Sequence, residues 1–280
     1  MVENPGDREP DFDWSWTEDD DPGWIPPSID LSTPSPARMY DYALGGKDHF
    51  AVDRAAVEQV AGLFPEFRAV AQANRGFLVR AAEAMTAAGI RQFIDLGTGI
   101  PTSPSVHEVV LARYPDARII YVDHDPIVIA HNRARRATAP GVVTLLEDLR
   151  DPDAVLQHPK VVERLDFDQP VGLIFCAVLH FVRRAVAPSI LSRFCRPLAA
   201  GSHLAIATAC TEGMTPAGLD RIEAVYEKST TPIVFRSEAE VHQLFEGFDL
   251  IRPGLADVTR WRAGGQPLGI RIMAGVGVKP

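Results

Sequence analysis

Cysteine is scarce: Cys176, Cys195 and Cys210 are the only three in 280 residues. Odd in number, scattered and set in apolar surroundings, they provide neither a disulfide framework nor a C-x-x-C ligand pair, and they suit a reducing compartment. Lysine is scarcer relative to its usual share, four against 24 arginines, a bias of composition that says little about partners. Long apolar runs are missing. The longest nearly apolar stretch, 171–182, falls well short of the roughly 20 residues a bilayer-spanning helix needs. The first residues are acidic where a secretory signal would be basic and then apolar. These absences predict a cytoplasmic protein with no membrane segment. No G-x-S-x-G elbow, P-loop or zinc motif is present to support covalent hydrolysis, nucleotide hydrolysis or a metal centre.

What is present is an ordinary globular composition, 46% hydrophobic and 23% charged, which allows a sizeable core and excludes disordered and collagen-like classes. The net charge of -9 is entirely local. Residues 1–30 hold ten acidic side chains and one basic, Arg8, so the remaining chain carries 27 of each sign. A neutral body supplies no field for holding a polyanion such as nucleic acid. The run Arg133, Ala134, Arg135, Arg136 is read as a solvated helix end rather than a basic patch.

Three segments are predicted: an acidic arm over 1–35, a helical cap or lid over 36–89 and an α/β domain over 90–280. The arm is rich in proline and acid, yet contains Trp14, Trp16 and Trp24, so it is either a tail or an arm whose rings dock on the body. In the cap, helices are expected from residue 36, over 51–63 and over 65–88. In the last of these Phe67, Val70, Ala71, Asn74, Phe77, Leu78, Ala81 and Met85 recur at spacings of three and four. Beyond residue 90, strands are predicted over 92–96, 118–122, 142–146, 171–177, 203–208, 249–252 and 268–278. Helices are predicted over 106–114, 126–138, 151–165, 188–198, 216–228 and 237–246. Such alternation describes a mostly parallel seven-stranded sheet covered on both faces. No helical pattern separates the last two strands, so they are expected to pair antiparallel at an edge.

Ligands of open α/β sheets bind beyond the carboxyl ends of the strands. The first predicted strand ends in Asp95-Leu96-Gly97-Thr98-Gly99, where two glycines remove the Cβ atoms that would keep a ligand from the backbone. The second ends at Asp123, with His124 next to it; a carboxylate there can accept from two adjacent ribose hydroxyls. The third leads to Asp148 and Leu149, an acid and an N–H suited to an adenine edge. With Thr98 and with Ala177 after the fourth strand, these residues define a candidate adenosine pocket. A dinucleotide is a poorer fit, because Thr102 stands at the third glycine position and Pro101 and Pro104 interrupt the turn. His124, Asp125 and His131 match no common metal spacing, so no metal is expected.

The D-x-G-x-G motif, with Asp123 and Asp148 following it, resembles the first motifs of class I S-adenosylmethionine-dependent methyltransferases. More specifically, residues 36–48 (PARMYDYALGGKD), 91–99 (RQFIDLGTG), 106–109 (VHEV) and 178–182 (VLHFV) are similar to an S-adenosyl methyltransferase family formerly filed as a domain of unknown function. The match spans about residues 30–278. It implies a Rossmann-like class I methyltransferase fold, S-adenosyl-L-methionine as cofactor and S-adenosyl-L-homocysteine as product, and it names no acceptor. Where acidic residues would be expected after Val182, this chain has Arg183-Arg184-Ala185.

The candidate roles follow. Gly97 to Gly99 take the amino-acid end of the cofactor, Asp123 the ribose, and Asp148 with Leu149 the adenine. Over 38–47 the segment is either a capping helix with a glycine stop or a lid, in which Arg38 or Tyr42 meets the methionine carboxylate and Gly46 permits close approach. Asn74 and Arg75 could reach the same place. His107 either contacts the amino-acid end or caps its helix. His180 is either a general base for the acceptor or a structural histidine. The leading expectation is a methyltransferase acting on a small molecule; the alternatives are a non-catalytic module sensing S-adenosylmethionine or its product, and a nicotinamide-dependent oxidoreductase.

Overall fold

The fold is that of a computed structural model, which describes residues 30–136 and 139–280. Most of the predicted arm, with Trp14, Trp16 and Trp24, lies outside the described residues, as do residues 137–138 and the side chain of Arg136. Five parallel strands form the body of the sheet: β1 (Gln92–Leu96), β2 (Arg118–Asp123), β3 (Val142–Leu146), β4 (Gly172–Cys176) and β5 (His203–Cys210). Each is an apolar run instead of an alternating one, because both faces of the sheet are covered. Strand β8 (Arg271–Val278) runs antiparallel to β5 along its whole length. Outside it lie β6 (Asp249–Leu250) and β7 (Ala256–Asp257), which pair with different ends of β8. The order is β3-β2-β1-β4-β5-β8-β6.

Seven strands were expected and eight are found among the described residues. The expected strand over 249–252 stops at Leu250, because Pro253 cannot donate to a ladder and Gly254 turns with φ +89°. Pairing resumes over Ala256–Asp257, too short a segment for periodicity to reveal. Ten helices complete the described fold: α1 (Pro36–Ala43), α2 (Ala51–Leu63), α3 (Phe67–Ala87), α4 (Val106–Leu111), α5 (Pro126–Arg136), α6 (Pro152–Leu156), α7 (Pro159–Arg164), α8 (Ala187–Cys195), α9 (Pro216–Tyr226) and α10 (Glu238–Gln243). The single helix expected over 151–165 is two helices, since Pro159 lacks the N–H that would continue the first.

Alternation along β1 divides the core. Phe93 faces a cluster with Phe77, Met85, Ile174 and Trp261, while Ile94 and Leu96 face one with Val122, Phe175 and Phe194. Helix α3 therefore covers the sheet directly: Phe77 meets the fully buried Trp261 edge-on at 5.1 Å, and Arg80 ties α3 to the Val258 and Trp261 carbonyls.

Helices α1 and α2 are held by one carboxylate. Asp53, completely buried, accepts from Arg38 Nε at 2.8 Å, from the Ser35 N–H at 2.9 Å and from the Phe50 N–H at 2.8 Å. Replacing it by alanine strands a buried guanidinium and two N–H donors, so Asp53→Ala is expected to lower unfolding stability by about 3–5 kcal/mol in urea titrations. The double replacement Arg38→Met with Asp53→Leu, which removes both charges, should lose clearly less; an equal loss would show that the ion pair is not what matters there.

Candidate functional site

The loops after β1, β2 and β3 converge at the carboxyl end of β1, beside that of its neighbour β4. The chain leaves β1 through Gly97 and Gly99, with φ of +70° and +64°, a region open to glycine at little cost. A Cβ on Gly97 would stand 2.2 Å from Val178 Cγ2, so glycine also lets the β1 loop close against the turn that follows β4. Thr98 hydroxyl donates to Asp95 at 3.4 Å, and the Gly97 and Thr98 N–H groups bond the Val122 carbonyl.

Asp123 ends β2 almost fully buried. One of its oxygens accepts the Gly99 N–H at 2.9 Å and the other the Asp125 N–H at 3.0 Å. Burial pushes its carboxyl above the usual range, against the pull of those two donors and of His124. A carboxylate has about four acceptor positions, so two remain for a ligand. Asp148, after β3, is clasped by Arg150, whose guanidinium and N–H both donate to it. Burial raises this carboxyl, and the Arg150 bonds outweigh burial and hold it below the ordinary value.

One cavity is lined by Asp95, Gly97, Thr98, Gly99, Asp123, His124, Asp148, Leu149, Ala177 and His180. Four other expected cofactor residues lie off it, each bound to a neighbour of its own. Arg38 is spent on Asp53 and on the Thr33 carbonyl. Tyr42 donates to Glu58 at 2.7 Å and lies under the Arg68 guanidinium. Gly46 is packed against Asp41, where a Cβ would come within 2.0 Å of Oδ1. His107 bonds Ser105 and Tyr121 and fixes the start of α4.

Tyr40, Asn74, Arg75 and Cys176 do line the cavity. Asn74 donates to the Tyr40 hydroxyl at 2.8 Å and accepts from Cys176 Sγ at 3.5 Å; Tyr40 in turn donates to the Ala71 carbonyl. Burial pushes the Cys176 thiol up to about 12 and keeps it a donor. Arg75 bonds the Thr102 and Pro104 carbonyls, while its buried Nε has no partner.

Past β4 the backbone turns sharply. Ala177 has φ +57°, a conformation that costs a residue with a Cβ, and residues 179–181 form a 3-10 turn. Arg236, buried, holds that turn by donating to the Leu179 and Val182 carbonyls at 2.7 Å each. Arg184, in the stretch where acidic residues were expected, instead donates to the Phe235 carbonyl at 2.9 Å. His180 Nδ1 accepts the Ala209 N–H at 3.3 Å, so Nε2 carries the ring hydrogen and has no lone pair for a substrate proton. The geometry thus speaks against His180 as a general base and makes it a donor. Beyond it the cavity continues between Phe67, Phe181, Ile222, Tyr226, Phe235 and Ile272.

A dinucleotide seat is not formed. Helix α4 begins at Val106, seven residues after Gly99, and its N-terminus is already capped by Ser105 and Glu108. Among the described residues no cluster of three or more His, Cys, Asp or Glu could hold a metal, and no helix is long and apolar enough to cross a membrane.

Strand order and glycine turn define a Rossmann-like fold of the class I methyltransferase type. Residues 22–280 match the S-adenosyl methyltransferase family, and the chain belongs to that family. It is an S-adenosylmethionine-dependent methyltransferase by membership. A crystal structure of a candidate methyltransferase from Thermobifida fusca YX is 35% identical, with a TM-score of 0.83 over 92% of this chain and 99% of that one. A duf574 family protein from Streptomyces avermitilis MA-4680 is 34% identical, with a TM-score of 0.85 over 90% and 99%. No curated protein matches the chain.

His180 gives the site a pH signature. Burial, and then the Arg236 charge, push its imidazole down to about 3 from an ordinary 6.5. Between those values the unfolded chain takes up a proton that the native state refuses, so stability present above about pH 6.5 is lost as pH falls toward 3. Urea midpoints of the wild type should therefore drop more between about pH 7 and pH 4 than those of His180→Gln, which lacks the titrating ring. Parallel pH dependences would show that the imidazole is solvated.

Proposed function

We propose that the chain methylates a small molecule bound over β4 and β5, with the cofactor held over β1, β2 and β3. The observation that carries this reading is Asp123. It is buried, held by one N–H on each oxygen and left with acceptor capacity at the cavity wall, which suits the two hydroxyls of a ribose. Gly97, Thr98 and Gly99 leave room for the amino-acid end, and the unpartnered Nε of Arg75 suits its carboxylate. Asp148 and Leu149 suit the adenine, with His124 and Ala177 at the cavity wall beside these groups. Bound S-adenosylmethionine supplies an electrophilic methyl group; the protein's share is to position, to exclude water and to donate hydrogen bonds.

Residues 36–89 serve in this reading as the cover. Ser35, Pro36 and Ala37 line the cavity. Their segment is fastened on both sides, by the Ser35 hydroxyl to Asp125 at 3.0 Å and by the Pro34 carbonyl to the Thr230 N–H at 2.9 Å. A covered cavity and a body of balanced charge favour a small acceptor over nucleic acid, and the free cysteines suit the cytoplasm.

Calorimetric titration tests this assignment. S-adenosylmethionine and S-adenosylhomocysteine should bind at micromolar concentrations and NAD should not. Asp123→Ala should weaken both sulfur ligands roughly tenfold to a hundredfold, the worth of one or two hydrogen bonds to a charged acceptor. Unchanged binding in Asp123→Ala would sink the assignment.

A further inference from the structure

The cavity is divided by charge. Its charged lining residues, Arg75, Asp95, Asp123, Asp125, Asp148 and Arg150, all precede β4 in the chain; from Cys176 onward the lining has no Asp, Glu, Lys or Arg. The second half is built from the turn after β4, from α9, from residues 230–235 and from β8. Its wall is aromatic: the His180 and Phe181 rings meet edge-on at 4.4 Å, and Phe181 lies at 5.8 Å from Tyr226, tilted by 41°.

Within this lining, besides the Thr230 and Thr231 hydroxyls, two side-chain polar atoms have no hydrogen-bond partner among the described residues. Tyr226 is 6% exposed, and its hydroxyl makes no hydrogen bond among the described residues; burial alone raises its pKa. The second is His180 Nε2–H, left over because Nδ1 is used by Ala209. A ligand that covers these cavity-facing donors without accepting from them leaves them buried and unmet, at a cost in free energy. A charged acceptor would find no counter-ion in this half, whereas a hydrocarbon would leave both donors unmet.

Resting on the cofactor assignment above, we propose that this half-cavity takes an uncharged, planar, largely apolar ring compound that presents an oxygen to the Tyr226 hydroxyl and the His180 Nε2–H. Flat rings suit the aromatic wall through offset and edge contacts, and the oxygen accepts from both donors.

The test uses the full chain saturated with S-adenosylhomocysteine, its own binding first measured by calorimetry. Naphthalene, 2-naphthol, 2-naphthoate and 2-(aminomethyl)naphthalene are then compared by equilibrium dialysis. We expect 2-naphthol to bind roughly tenfold tighter than naphthalene, from one to two net hydrogen bonds, and both charged analogues to bind more weakly than 2-naphthol. Tyr226→Phe should erase most of the preference for 2-naphthol over naphthalene while leaving S-adenosylhomocysteine affinity unchanged, which also shows that the variant is folded. Tighter binding of either charged analogue, no preference for the alcohol, or a preference that survives in Tyr226→Phe would overturn the inference. Normal S-adenosylhomocysteine binding without any 2-naphthol binding would overturn it alone; failure to bind S-adenosylhomocysteine would overturn the cofactor assignment and this inference with it.

Discussion

The chain leaves β1 toward β2 and β3 on one side and returns to β4 on the other, and this reversal is the constraint on which the site depends. At such a point the loops on either side diverge and leave a crevice at the carboxyl ends of the strands. Because the two flanks come from different stretches of chain, they can carry different chemistry. The flank from β1 to β3 contributes carboxylates and exposed N–H groups, the flank from β4 onward rings and aliphatic side chains. A polar surface and an apolar one thus meet at a boundary that the topology itself draws.

What keeps the crevice in shape is a set of buried polar bonds. Asn74 joins Tyr40 of α1 to Cys176 of β4, so the cover and the floor of the cavity share one network. Arg236 does for the 3-10 turn what Asp53 does for α1 and α2: a single buried charge serves several backbone groups. Such groups cannot be deleted singly without leaving others unmet, which makes the surroundings rigid.

The strand-end motifs were legible in the sequence because they depend on local chemistry. Asp95, Gly97, Gly99, Asp123 and Asp148 sit at fixed offsets from apolar runs, and the runs are long enough to locate. Arg38 and Tyr42 lie off the cavity for a geometric reason. In an eight-residue helix every polar side chain has a candidate face, and only the packing of α1 on α2 and α3 reveals that Ala37 and Tyr40 look inward while Arg38 serves Asp53. The apolar half of the cavity was invisible for a different reason. Ile222 and Tyr226 are four apart on α9, and Ile270 and Ile272 two apart at the start of β8, which is the ordinary spacing of core residues. Nothing in that spacing distinguishes a side chain facing a cavity from one facing another side chain.

The outer margin of the sheet has a consequence beyond the site. Strands β6 and β7 contribute two residues each and are separated by the Arg252-Pro253-Gly254 turn. A neighbouring chain approaching this side meets two short rungs with a gap between them, and a proline that offers no N–H within the gap. An extending sheet needs an unbroken row of donors and acceptors. This margin therefore ends the hydrogen-bonded array at the molecule's own boundary, and crowding of copies against it has no continuous ladder to propagate.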